Sequence, residues 1–234
     1  MIGIIGAMKV EVENLCSLIE DLKVENHRCR DFYVGTIFGV EVVVVESGVG
    51  KVNAAVTSTI LMEKYAVNFI INTGIAGGVT GVDVFDLVIG KTLVYHDFDL
   101  SPIGYQKGVI PGIGREFTTD EHIRSVCEVI AKRNGVKYVI GNIASGDVFA
   151  TNASILDGLG LDIQAVEMEG AAIAHTCKIY NKPFISLRII SDILGSKEQT
   201  DNYNLVEKKA AEYAIIFVCE IIKNSIDKVT KNIV

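Results

Sequence analysis

Hydrophobic residues along the chain fall into short solid runs separated by segments in which they recur at helical spacing. MIGIIGA is an apolar strand, and the segment from Met8 to Leu22 places Val12, Leu15, Leu18, Ile19 and Leu22 on one face of a helix. FYVGTIFGVEVVVVESG reads as two strands joined by a tight turn at Gly39, the second nearly all valine. KVNAAVTSTILMEKY is a helix, VNFIINTG a buried strand that stops at its glycine, and DVFDLVIGKTLVYHDFD an extended stretch. After an irregular Gly/Pro segment come a helix over about 119–134 and the strand KYVIGNIASG. IQAVEME is a strand running into the helix GAAIAHTCKIYN, and PFISLRIISD is a further strand. The tail from about Asn202 to Lys231 is a long amphipathic helix.

Strands that alternate with helices and are apolar on both faces call for a sheet covered on both sides. No linker, repeat or low-complexity segment divides the chain. The expectation is a single domain over residues 1–234, a three-layer α/β/α sandwich around a central mixed, twisted sheet. Hydrophobic residues make up 49% and charged residues 22%, which excludes disorder. A net charge of -7 argues against a nucleic-acid groove and favours a neutral or zwitterionic small molecule over an anionic one. No apolar stretch reaches the roughly 20 residues of a membrane span, and MIGIIGAM lacks a basic leader, so the expected location is the cytoplasm. The five cysteines are scattered without a CxxC pair and read as buried thiols in a reducing compartment. His96, Asp97 and Asp99 in YHDFD are the nearest approach to a metal-ligand cluster, and no HxxxH or HxxE spacing supports them, so no metal is expected.

Ligands of open α/β sheets bind beyond the carboxyl ends of the strands. Those ends carry Met8 and Glu11, then Glu46 to Gly50, then NTGIAGG, Ser145 with Asp147 and Phe149, Met168 and Glu169, and Arg188 with Ser191 and Asp192. GVGKV lacks the glycine spacing of a Walker loop, GIIGAM lacks GxGxxG, and no GxSxG offers a nucleophilic serine. Each polar candidate also has a structural reading. Glu11 suits the first turn of any helix, Asp192 could cap the next one, and Phe149 could be core. Glu167 and Glu169 flank Met168 where the chain enters the interior, and a buried carboxylate needs a partner or a ligand. Arg188 could be that partner; strand alternation does not separate the two glutamates.

Together, GIIGAM followed by Glu11, SGVGKVNAA, NTGIAGG, YHDFD, SGDVF, AVEMEGAAIAH and RIISD occur in the order found in 5′-methylthioadenosine/S-adenosylhomocysteine nucleosidases, within the purine nucleoside phosphorylase-like superfamily. The resemblance runs from Met1 to about Asp192 and rests most on AVEMEGAAIAH and SGDVF. It implies a cytosolic homodimer that needs no cofactor and releases adenine from a 5′-thioadenosine. By this resemblance Asp192, supported by Ser191, protonates the purine N7, and Glu11 takes a proton from the attacking water. Glu169 and the Met168 main chain hold the ribose hydroxyls, with Arg188 positioning Glu169, while Glu167 is structural. Phe149 stacks on adenine and the Ala150 main chain reads its edge. Met8, Val49 and Met168 line the ribose and alkylthio side, Ile103 and Pro111 reach the partner's 5′ pocket, and Tyr203 is the aromatic lid.

The chain departs from the family pattern at three places. Ile75 replaces the usual serine of NTGSAGG, Lys9-Val10 replaces a Glu-Glu pair before Glu11, and IGYQKGVIPG replaces FGY…QxPG. Rival readings are a futalosine-type nucleosidase, a purine nucleoside phosphorylase and a nucleoside-binding protein without catalysis. A phosphorylase would bring arginines to the first glycine loops, where this chain has only Lys9 and Lys51.

Overall fold

β1 (Ile2–Gly6) is buried at every position, so it needs strands on both edges and helices on both faces. It lies between β4 (Val40–Glu46) and β5 (Phe69–Gly78), parallel to both. The computed structural model describes residues 1–28, 30–197 and 199–231, and along the last helix the side chains of 199, 206 and 208–224. Its remaining strands are β2 (Glu20–His27), β3 (Arg30–Ile37), β6 (Leu87–Tyr95), β7 (Phe117–Thr118), β8 (Tyr138–Ser145), β9 (Ile163–Glu167) and β10 (Phe184–Ile193). All belong to one mixed sheet in the order β10-β6-β8-β9-β5-β1-β4-β3-β2, with β7 on β6. β10 also pairs with β5, so five of the strands close on themselves and β1, β4, β3 and β2 extend from β5.

Helices cover both faces. α1 (Lys9–Cys16), α3 (Glu121–Arg133) and α5 (Gln199–Lys231) share one apolar core that includes Val12, Leu15, Ile130, Ala214 and Phe217. α2 (Lys51–Lys64) and α4 (Gly170–Ile179) share the other, with Ala54, Leu61, Ala171 and Cys177. The three-layer α/β/α architecture is the one the hydrophobic pattern called for. β1, β4, β5 and β10 run parallel to one another, as do β6, β8 and β9. The groups meet antiparallel where Gly77 and Gly78 face Val166 and Ala165, which brings the carboxyl ends of β5 and β9 together.

Four boundaries differ from the sequence expectation. The first helix stops at Cys16, and the following residues form β2, whose positions are nearly all solvent-facing. Leu22 and Val24 alternate with Asp21, Lys23 and Glu25, but Leu22 also continues the helical spacing of Leu15, Leu18 and Ile19; Leu18, Leu22 and Val24 are all exposed. β5 does not stop at Gly74 but continues to Gly78, because the glycines stay extended and pair with β9 and β10. Residues before Leu87 form a turn in which Asp86 accepts from Asp83 N at 2.8 Å. The tail helix begins at Gln199 rather than Asn202. Cys127 and Cys177 are buried and Cys16 and Cys219 half-buried; Cys29 lies outside the described residues.

Candidate active site

The chain leaves β1 at Gly6 and turns into α1, placing Glu11 in its first turn. The side chain folds back over the helix start instead of pointing to solvent. Oε2 accepts from Ala7 N at 2.6 Å and Met8 N at 3.0 Å, and Oε1 accepts from Ile75 N on β5 at 3.1 Å. Gly74 makes this possible, since a Cβ there would meet Oε1 at 2.5 Å. Burial raises the Glu11 pKa, against the pull of Arg188 and the three amides.

Glu167 ends β9 and is saturated by protein donors. Its Oε2 accepts from Arg188 Nη2 at 2.8 Å, Glu169 N at 3.0 Å and Gly170 N at 2.7 Å, and its Oε1 accepts from Ser145 Oγ. Arg188 itself is 2% exposed in the middle of β10, also bonds Asn72, and does not line the cavity. The expectation that Arg188 pairs with Glu169 is therefore corrected: its ion pair is with Glu167. Alternation along β9 ends at Glu167, so the next carboxylate faces a different way. Arg188 acts on Glu169 only through the Glu167 bonds to the 167–170 turn and through its charge.

Glu169 faces the cavity and accepts from Gly50 N at 2.7 Å. Gly50 caps α2 with φ of 96°, a left-handed conformation that glycine adopts without strain. Burial, and next the Glu167 charge, push the Glu169 carboxyl up to about 7, against the Gly50 amide and Arg188. Asp192, at the end of β10, is 2% exposed. Its Oδ1 accepts from Ser191 Oγ at 2.5 Å and its Oδ2 from Gln199 Nε2 at 2.9 Å.

These groups surround a cavity of about 240 Å³. Its other walls include Met8, Val49, Phe149, Ala150, Met168 and Ser191, with Ile75 and Gln199. Phe149 and Val49 are each 48% exposed at its rim. Ile103 and Pro111 are exposed and do not line this chain's cavity; Tyr203 lies on α5, and its side chain is outside the described ones. The YHDFD residues serve the frame instead. Asp97 Oδ2 accepts from Lys51 Nζ at 2.5 Å and Asp147 N at 2.9 Å, tying together the ends of β4, β6 and β8. His96 is buried against Gly146, and Asp99 accepts from Ser101 N at 2.8 Å. Gln199 is the cavity residue that carried no signal in the sequence; it belongs to no motif and follows Asp192 by seven positions.

The model of the phosphorylase superfamily matches residues 1–223. The chain is 39% identical over 227 residues to the 5′-methylthioadenosine/S-adenosylhomocysteine nucleosidase of Chromohalobacter salexigens, covering 95% of this chain and 96% of that one. Among solved structures it is similar to the nucleosidase of the same name from Colwellia psychrerythraea in complex with adenine. That match has a TM-score of 0.89 and 34% identity, covering 95% of this chain and 94% of the other. It is also similar to the futalosine hydrolase of Helicobacter pylori, with a TM-score of 0.90 and 29% identity, covering 95% and 97%.

The raised Glu169 carboxyl has a consequence for stability. Its stabilising contribution is complete below the unfolded-state value near 4.5 and is lost as pH rises through about 7. Glu169→Gln keeps an acceptor for Gly50 and has no charge to bury. Its stability relative to wild type is expected to rise between pH 4.5 and 7, by at most about 3 kcal/mol. Thermal melts of both proteins at pH 5 and pH 8 measure this; a constant difference between them would mean that Glu169 ionises as freely as a surface glutamate.

Proposed function

Because the chain belongs to the phosphorylase superfamily, among its 5′-methylthioadenosine/S-adenosylhomocysteine nucleosidases, we propose that it hydrolyses the N-glycosidic bond of those two nucleosides. The products are adenine and the corresponding thioribose. One observation carries the choice of water as nucleophile. The main-chain amides of Ala7, Met8 and Ile75, a ready cradle for an anion, are already filled by the Glu11 carboxylate. A phosphate placed there would meet a buried negative charge. A water there meets a base whose carboxyl is raised by burial.

In this reading Asp192 delivers a proton to purine N7, so adenine leaves neutral while positive charge builds on the ribose ring. Ser191 orients Asp192 through the 2.5 Å hydrogen bond. Glu169 and the Met168 main chain receive the ribose hydroxyls, which add donors to a carboxylate that the protein supplies with the Gly50 amide. Phe149 offers a half-exposed ring for the base to stack on, and the Ala150 main chain faces the purine edge. Met8, Val49 and Met168 form the apolar wall toward the 5′ substituent. No cofactor enters the chemistry.

The molecule acts as a homodimer in the same reading. Val52 and Val56 stand one turn apart on α2 at 74% and 51% exposure, and Ile179 on the neighbouring α4 is 62% exposed. Ile103, 70% exposed, and Pro111, also exposed, are the residues that this reading sends to the partner's 5′ pocket. The second reading, a futalosine hydrolase, is supported by the Helicobacter pylori neighbour.

The deciding experiment incubates the protein with 5′-methylthioadenosine or futalosine, with and without phosphate. Adenine is expected from methylthioadenosine at one rate in both buffers, with no sugar phosphate. Phosphate dependence would make the protein a phosphorylase, and preference for futalosine would establish the second reading.

Asp192→Asn is expected to lower kcat by about 10²–10⁴-fold with the melting temperature little changed, since Ser191 can reverse its hydrogen bond. Glu11→Gln should lose as much activity but also melt earlier, because its amide would set an N–H against main-chain N–H donors. Near-normal turnover in either variant removes that residue from the mechanism.

Sedimentation equilibrium is expected to give a dimer, and Val52→Asp combined with Ile179→Asp a monomer. A wild-type monomer with full activity at nanomolar concentration would exclude the shared pocket.

A further inference from the structure

Two loops from different strands carry the walls on which the proposed purine and ribose lie. The loop after β4 holds Val49 and Gly50, whose amide grips Glu169, and the loop after β8 holds Val148, Phe149 and Ala150. Asp147 joins the two. Its Oδ1 accepts from Lys51 N at 2.8 Å and lies against Gly50, where a Cβ would meet it at 3.1 Å. Its Oδ2 is 3.7 Å from Lys51 Nζ. Its own N–H donates to Asp97 Oδ2 at 2.9 Å, and the same oxygen accepts from Lys51 Nζ at 2.5 Å. Burial works against the Asp97 charge, but the Lys51 and Asp147 donors outweigh it and hold its carboxyl below the usual value. None of Lys51, Asp97 and Asp147 lines the cavity.

The amides of the glycine turn are thus divided between two carboxylates, Gly50 N to Glu169 and Lys51 N to Asp147. Gly50, at φ 96° and ψ 161°, has no Cβ to confine it, so its neighbours set the direction of its amide. We propose that Asp147 is a positioning residue that fixes the spacing between the ring of Phe149 and the Gly50 amide on Glu169, with Asp97 and Lys51 bracing it. The inference rests on the proposed placement of the purine on Phe149 and of the ribose on Glu169. Cleavage of the bond between base and sugar needs both held at one separation, and a misplacement of about 1 Å is enough to slow such a step severely. With side-chain exposures of 24% and 48%, the Lys51–Asp147 ion pair adds little to global stability. What Asp147 supplies is direction: an acceptor aimed at one main-chain N–H, two residues ahead of the stacking ring.

Two measurements on wild type, Asp147→Ala, Asp147→Asn and Asp97→Ala test this. Calorimetric titration of adenine reads the Phe149 side. The ratio of kcat/KM for 5′-methylthioadenosine over its 2′-deoxy analogue reads the Glu169 side. Asp147→Ala is expected to weaken adenine binding and to lower the ratio together, each by about three- to tenfold, the order of one net hydrogen bond. Asp97→Ala should move both the same way by less. Asp147→Asn keeps an acceptor for the Lys51 amide and should return both to near the wild-type values. If Asp147→Ala leaves both readouts unchanged, or moves only one, the coupling is overturned. An Asn variant as impaired as Ala overturns it too, since charge rather than direction would then be what matters. Should Asp147→Ala not fold, Asp97→Ala decides by the same criteria. A wild type that binds no adenine overturns the nucleosidase reading and this inference with it, a result distinct from variants that behave like an active wild type.

Discussion

Three buried carboxylates share one buried guanidinium, and the arrangement of the site follows from that shortage. Glu11, Glu167 and Glu169 are all less than a tenth exposed, and among the described residues Arg188 is the cation that acts on Glu11 and Glu169 while bonding Glu167 directly. A buried ion pair roughly offsets its own desolvation, and the two remaining carboxylates need other compensation. Main-chain amides supply it. Ala7, Met8 and Ile75 hold Glu11, and Gly50 holds one oxygen of Glu169. Strand ends and helix starts are where unpaired N–H groups are available, so the charges collect at the carboxyl edge of the sheet.

The compensation is graded, and the gradient separates carboxylates filled by protein donors from those with room for more. Glu167 has donors on both oxygens, including a guanidinium, and has nothing left to offer a ligand. Glu169 has one amide and a carboxyl raised to about 7. It is the group with most to gain from further hydrogen-bond donors, a need that the proposed ribose contact would meet. Asp192 depends on two neutral donors, Ser191 and Gln199, of which only the first is anchored next to it in sequence.

That gradient also marks how far the sequence could be read. Solid apolar runs disclosed the central strands, because a strand buried on both faces needs no partner to identify it. β2 was hidden because its Leu22 also fits the helical spacing that precedes it, while its residues face solvent and bury no apolar face. Chemistry at strand ends was visible as residue types, since the architecture fixes where those ends lie. The pairing among them was not. Arg188 could have met either glutamate, and the choice depends on β9 ending at Glu167, a register set by pairings with β8 and the end of β5. Gln199 left no trace, because its significance comes from a helix start folding back over Asp192 across a turn with no motif.

The departures from the family pattern weigh less once the donors are known to be main-chain atoms. Ile75 contributes its amide to Glu11, and the side chain it substitutes for serine packs with Ile71, Ile189 and the α5 core. Lys9 and Val10 likewise precede Glu11 without supplying the cradle, which comes from the amides of Ala7 and Met8. What such a cradle demands of the sequence is the absence of side chains at particular points. Gly74 is the clearest, since any Cβ there would displace the Glu11 carboxylate, whereas a change at position 75 leaves the amide in place. A site built this way tolerates variation in the side chains around the cradle and is strict about a glycine such as Gly74, where the carboxylate needs the space.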